Sequence, residues 1–275
     1  MIELPEAVTL ANQANDVLVG RTVVDAEANH TPHKLMWFFG DPARYRELLV
    51  GRTITGATSW AGHVELAAGR LRILLSEGAA PRLLPPGDPT PAKHQLLLDL
   101  DDGSRLVVTV AMYGGIQVFH DGENENPYYQ VAMTRPSPLG ADFDRAYFAE
   151  MLDAEDAAKL SAKAFLATEQ RIPGLGNGAL QDILWTARIH PKQKMGALPE
   201  PAIQDMFDTV KHLLAEMTAQ GGRDTERDLH GRPGGYATRM SRHTVGRPCP
   251  RCGSTIVKQS YLGGAVYVCP GCQPA

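Results

Sequence analysis

All four cysteines of this 275-residue chain fall within its last 27 residues, as Cys249-x2-Cys252-x16-Cys269-x2-Cys272. Two tight pairs separated by a hairpin-length insert can close a tetrahedral zinc site of four thiolates. The competing reading is two disulfides, which need an oxidising compartment. Glu3 and Glu6 interrupt the N-terminus, so no secretory leader is expected and the zinc reading is preferred. Four thiolates leave no open coordination position, so the expected zinc is structural rather than catalytic. The insert predicts two strands, 255–261 and 265–268, around a Gly263-Gly264 turn.

Charge is distributed unevenly. The chain carries −4 overall, yet residues 220–275 hold seven Arg and one Lys against Asp224, Glu226 and Asp228, a net +5. A basic tail on an acidic body is an electrostatic footprint for phosphate, with a solvated charged surface as the plain alternative. No stretch approaches the ~18–20 apolar residues needed to span a membrane. The expectations are a cytoplasmic monomer with no membrane partner.

Residues 1–135 read as β-rich, in short apolar or alternating runs broken by Gly, Pro and Asp. Asp102-Gly103 supplies a hairpin turn. Helices are expected over 5–17 and 42–49, and a linker around 133–144. Residues 136–222 then turn helical, with apolar positions recurring at three and four. A polar, glycine-rich arm leads to the cysteines, giving a third part over 223–275. Between two helices stands "GLGNG". Gly174, Gly176 and Gly178 permit close backbone approach to a ligand, and Asn177 opens a helix whose N-terminus favours a phosphate. An ordinary capped turn is the bland alternative.

Together, an N-terminal "ELPE", the "GLGN…IHP" turn, Lys93-His94 before a hairpin, "GRPGGY" at 231–236 and the terminal "CPRCG…CPGCQ" resemble the formamidopyrimidine-DNA glycosylase/endonuclease VIII family. The resemblance spans the whole chain in order. It implies an α+β fold: an N-terminal β-sandwich with flanking helices, then a helical helix–two-turn–helix part carrying the zinc finger. It also implies base-excision chemistry on damaged duplex or single-stranded DNA, with the base flipped into a pocket. In such chemistry the N-terminal amine attacks the sugar C1′ to form a Schiff base, and lyase steps then nick the strand. By position, Glu3 matches the acid/base carboxylate, Glu6 the second carboxylate, Asn177 a phosphate-binding residue and His94 a DNA contact. Cys249, Cys252, Cys269 and Cys272 match the zinc ligands.

The departures cluster on function. Position 2, usually proline, is Ile2, and a bulky residue there normally blocks removal of Met1. A retained methionine displaces the amine by up to ~3.8 Å, where a misplacement of ~1 Å costs ~100-fold. The lysine of a "GK" pair appears as Gly62-His63, so His63 stands where a fixed cation is expected and can serve as an acid or base. The void-filling loop reads "VAMYGG", leaving Met112 or Tyr113 as a substitute wedge, and the companion loop has Ala79 nearest its wedge position. The finger arginine five residues before the third cysteine is Gly264. Arg247, Arg251 and Lys258 are the candidates to compensate in holding DNA. The reading is a DNA glycosylase with doubtful AP-lyase action. The alternative is a catalytically inactive DNA-binding relative.

Overall fold

The computed structural model describes residues 1–274. Helix α1 (Leu4–Val17) opens the chain, with Pro5 at its first turn and a reciprocal capping box between Glu3 and Glu6. The strand-rich part follows: β1 (Val23–Ala28), β2 (Met36–Phe38), α2 (Tyr45–Leu49), β3 (Gly56–Trp60), β4 (His63–Ala68), β5 (Leu71–Leu84), β6 (Leu96–Leu100) and β7 (Arg105–His120). Next come α3 (Pro127–Thr134), α4 (Arg145–Leu152), α5 (Ala162–Ala167), α6 (Asn177–Thr186) and α7 (Glu200–Ala219), and the chain ends in hairpin strands β8 (Val257–Tyr261) and β9 (Gly264–Val268).

Six strands hydrogen-bond in one path, β1-β6-β7-β5-β4-β3, and the seventh, β2, pairs off that path, parallel to β7. The long strands β5 and β7 let one path form two layers. The first half of β5 pairs with β4 and the end of β7; its second half pairs with the start of β7, which continues to β6. The register shifts between Glu77 and Ala79, so residues 111–113 bulge opposite Gly78. Both layers face one core that includes Ile2, Leu10, Leu66, Ile73, Leu98 and Val108. Helix α1 is shared, because Leu4 belongs instead to the helical core with Phe165, Leu180 and Leu214.

Three expectations need amendment. The segment expected as a void-filling loop, 110–115, lies inside β7 as that bulge, held by pairing on both sides. Helix α3 falls within the stretch expected to be β-rich, started by Asn126 capping Tyr128 N–H and by Pro127. The finger turn is Leu262-Gly263, not Gly263-Gly264. Both turn residues have positive φ, as a type I′ turn requires, and Gly264 is the first residue of β9. Among the described residues, no helix is long and apolar enough to cross a membrane.

Candidate active site

The glycine-rich turn before α6 does admit a close-approaching ligand, and the ligand is the chain's own Glu3. Its Oε1 accepts from Gly178 N–H at 2.8 Å, and its Oε2 from Ala179 N–H at 2.8 Å and Gly176 N–H at 3.3 Å. A Cβ on Gly176 would lie 2.6 Å from the Glu3 carboxyl carbon. The anion-binding helix N-terminus read from sequence is therefore filled by a carboxylate from 175 residues away. Arg223 Nη1 supplies a fourth contact to Glu3 at 3.3 Å. Burial pushes the Glu3 carboxyl above its usual range, against the opposing pull of Arg223 and the backbone donors.

Arg223 is almost fully buried and binds Glu6 through its backbone N–H, Nε and Nη2. Burial would raise Glu6, but the charge and hydrogen bonds of Arg223 outweigh it and hold that carboxyl below the usual range. A side chain on Gly178 would collide with the Arg223 guanidinium. The sequence gives little warning of Arg223, since an arginine in a polar arm reads as solvated.

The first two residues are equally constrained. Met1's ammonium pairs with Glu226, and its sulfur accepts from the Tyr113 hydroxyl at 3.5 Å. Ile2 N–H donates to the Glu77 carbonyl at 2.6 Å, and the Ile2 side chain is in the core. Above them opens a cavity of about 500 Å³, whose wall includes Glu3, His63, Glu77, Tyr113, Lys163 and Asn177. Burial raises the Glu77 carboxyl, and neighbouring Glu3 adds to the effect. His63 is buried with Nδ1 3.1 Å from the Trp60 carbonyl, and burial lowers its imidazole below the usual range. Met112 is exposed and Tyr113 half-buried at the cavity wall, whereas Ala79 is packed in the core.

The finger tip completes the cavity. Asn177 Nδ2 donates to Ala265 O at 3.0 Å, and its Oδ1 is buried without a partner among the described residues. Lys163 Nζ donates to Tyr261 O at 2.7 Å and lies 3.3 Å from where a Cβ on Gly264 would stand. A lysine amid "SAKAFLA", on a helix that buries Ala162, Phe165 and Leu166, was the available signal for a buried cation.

The four cysteine sulfurs cluster within 4.8 Å and form no disulfide. The Cys249–Cys272 separation of 3.8 Å matches the ~3.8 Å edge of a tetrahedron with ~2.3 Å metal–sulfur bonds, and Cys252–Cys269 is 3.3 Å. The residues fit a tetrahedral metal. Trp185 Nε1 donates to Cys249 Sγ at 3.4 Å, and Arg251 stacks on Trp185 at 4.2 Å while donating to its carbonyl. Asp182 on α6 accepts from Arg239 N–H, Met240 N–H and the Tyr236 hydroxyl, fastening the arm. Buried Arg223, half-buried Arg239 and exposed Arg251 are thus engaged in contacts within the molecule, so the basic footprint is smaller than the sequence charge suggests. Arg247 and Lys258 remain exposed, and His94 is buried near Glu27.

A strand-rich part and a helical part meeting over an N-terminal carboxylate, closed by a four-cysteine hairpin, define a glycosylase-type fold. No protein-family model matches the chain. The formamidopyrimidine-DNA glycosylase of Chloroflexus aurantiacus is 30% identical over 280 residues, covering 99% of this chain and 98% of that protein. That of Streptococcus thermophilus is 29% identical, covering 99% of each. The solved structure of Lactococcus lactis Fpg with abasic-site DNA superposes with a TM-score of 0.82 at 23% identity, covering 99% of this chain and 100% of that one. The MutM protein of Thermus thermophilus superposes at 0.80 and 23%, covering 98% of each. This chain belongs to the formamidopyrimidine-DNA glycosylase family, and the motif-based resemblance is borne out.

Proposed function

We propose that this protein is a base-excision DNA glycosylase, a cytoplasmic monomer that releases a damaged or modified base. The observation that carries this reading is Glu3: a buried carboxylate held in one orientation at the wall of a cavity of about 500 Å³, a volume typical of ligand sites. Whole-length similarity to formamidopyrimidine-DNA glycosylases supports it. The division into 1–135, 136–222 and 223–275 is kept, with the arm sending Leu229 into the first core and Tyr236 into the second.

The chemistry follows from the site's own groups. A flipped nucleotide enters the cavity, and Glu3 accepts a proton from a water that attacks the sugar C1′. Gly176 N–H and Arg223, its longest contacts at 3.3 Å, are the two that yield to that water. As the water oxygen bonds to C1′ the C1′–N bond breaks, and the base leaves with the electron pair and takes up a proton from solvent. His63, whose Nδ1 hydrogen is held by the Trp60 carbonyl, offers its Nε2 lone pair as an acceptor at the cavity wall. The Schiff-base route finds less support, because Met1's ammonium is paired with Glu226 and Ile2 N is an amide bonded to Glu77. The reading is therefore base release with little lyase action. Asn177, Lys163, Arg247 and Lys258 hold the DNA backbone, whereas His94, buried beside Glu27, and Arg251, engaged on Trp185, are withdrawn from the expected DNA contacts. Cys249, Cys252, Cys269 and Cys272 bind a structural zinc that fixes the hairpin.

The second reading, a DNA-binding relative without catalysis, is favoured by one observation: four donors saturate the Glu3 carboxylate. Incubation with duplexes carrying an oxidised base or an abasic site, with and without borohydride, separates the two. Base release that is lost in Glu3→Gln, with no covalent adduct, is the expected result. DNA binding without base release across a lesion panel would establish the binder instead.

A further inference from the structure

A second cluster of ligating side chains stands outside the cavity. Pairing of β1 with β6 continues past Ala28, as Asn29 N–H donates to Gln95 O at 2.8 Å and Thr31 N–H to His94 O at 3.0 Å. That extension sets His30 beside His94, with ring centroids 4.4 Å apart and planes within 6°. Glu27, on β1, serves both rings. Its Oε1 lies 2.9 Å from His30 Nδ1 and its Oε2 lies 3.4 Å from His94 Nε2.

The tautomer of His94 makes this cluster unusual. Its Nδ1 is 2.9 Å from the Pro91 carbonyl, which only accepts, so Nδ1 carries the hydrogen. In the neutral ring Nε2 then presents a lone pair, and it points at a carboxylate oxygen. Two acceptors face each other, and a cation resolves the conflict. A ring that donates one nitrogen's hydrogen to a backbone carbonyl while offering the other is the usual arrangement of a metal-bound histidine. Ligands ~2.0–2.2 Å from one ion lie ~3 Å apart. The 2.9 and 3.4 Å separations fit, and all three ligand atoms lie within 4.8 Å of one another.

We propose that Glu27, His30 and His94 form a second metal site, for a divalent transition ion of borderline softness such as Zn²⁺, Co²⁺, Ni²⁺ or Cu²⁺. Buried His94 is the fixed ligand. Glu27 and His30 are exposed, and the His30 ring turns from its stacked position to bring Nδ1 onto the ion. Water or a phosphate oxygen fills the remaining positions. The site stands independently of the glycosylase reading.

The test uses the full chain with its cysteine site loaded. Zn²⁺ is titrated in, weakly held metal is dialysed away, and metal per chain is measured by mass spectrometry. Two ions are expected for the wild type and one for Glu27→Gln and for His30→Ala, with affinity for the second ion falling at least ~10-fold in each. Circular dichroism confirms that these surface variants fold. Cu²⁺ added to the zinc-loaded protein should show electron-spin coupling to two imidazole nitrogens in the wild type and to one in His30→Ala. A single ion in the wild type would mean that a proton bridges His94 and Glu27, and would overturn the proposal. So would a second ion that persists in both variants.

Discussion

Arg223 donates to both oxygens of Glu6, from Nε at 3.0 Å and from Nη2 at 2.8 Å, joining the turn after the last long helix to the first helix of the chain. Removing that guanidinium leaves two buried carboxylates without their cation. Arg223→Met is expected to lose ~3–5 kcal/mol of stability, read as a lower urea midpoint. Arg223→Lys should recover only part, because a point charge cannot reproduce the two-pronged contact.

The two carboxylates respond to pH in opposite directions. Glu6 is held below its ordinary 4.5, so its contribution is present above that pH and is lost as pH falls through the folded value. Glu3 is raised, so its contribution is present below 4.5 and is lost as pH rises through its folded value. Urea midpoints on both sides of pH 4.5 should show Glu6→Gln with a shallower acid limb than wild type. For Glu3→Gln, the stability deficit should shrink as pH rises.

Lys163 is buried, and no carboxylate lies within ion-pair distance of it among the described residues. A phosphate at the cavity mouth would supply its missing counter-ion. Lys163→Met should weaken DNA binding and reduce the slope of log K against log salt by ~0.9, the signature of one lost phosphate contact. Lys163→Arg should keep the slope. An unchanged slope in Lys163→Met would remove this residue from the interface.

Trp185 touches the cysteine site directly, through its bond to Cys249 Sγ and the stacked Arg251. Chelating the metal should therefore change Trp185 fluorescence together with loss of the hairpin. Trp185→Phe should abolish the optical change while metal release, followed with a chelating dye, continues. Fluorescence that is indifferent to chelation would show that the metal does not organise this contact.

Ile2→Pro tests the first amine. With Met1 retained, proline removes the N–H that bonds Glu77 O and the core side chain, so a cost of ~1–3 kcal/mol is expected with no borohydride adduct. Intact mass reports whether Met1 remains. An adduct formed with Met1 still present would show that its ammonium leaves Glu226 to react.

The cysteine spacing, the Asp102-Gly103 turn and most helices were legible in the sequence. Each depends on residues near one another along the chain, where periodicity and turn chemistry act directly. Even there the finger turn moved by one residue, because Leu262 accepts the positive φ that glycine was expected to supply. Tertiary structure alone decided where the charges went. Glu3 fills the helix N-terminus that the glycines prepared, Arg223 is buried between two acids, and Arg239 and Arg251 are taken up in holding the arm and finger. A buried charge must find its partner wherever packing brings one, and here those partners are as much as 220 residues distant, beyond the reach of any local pattern.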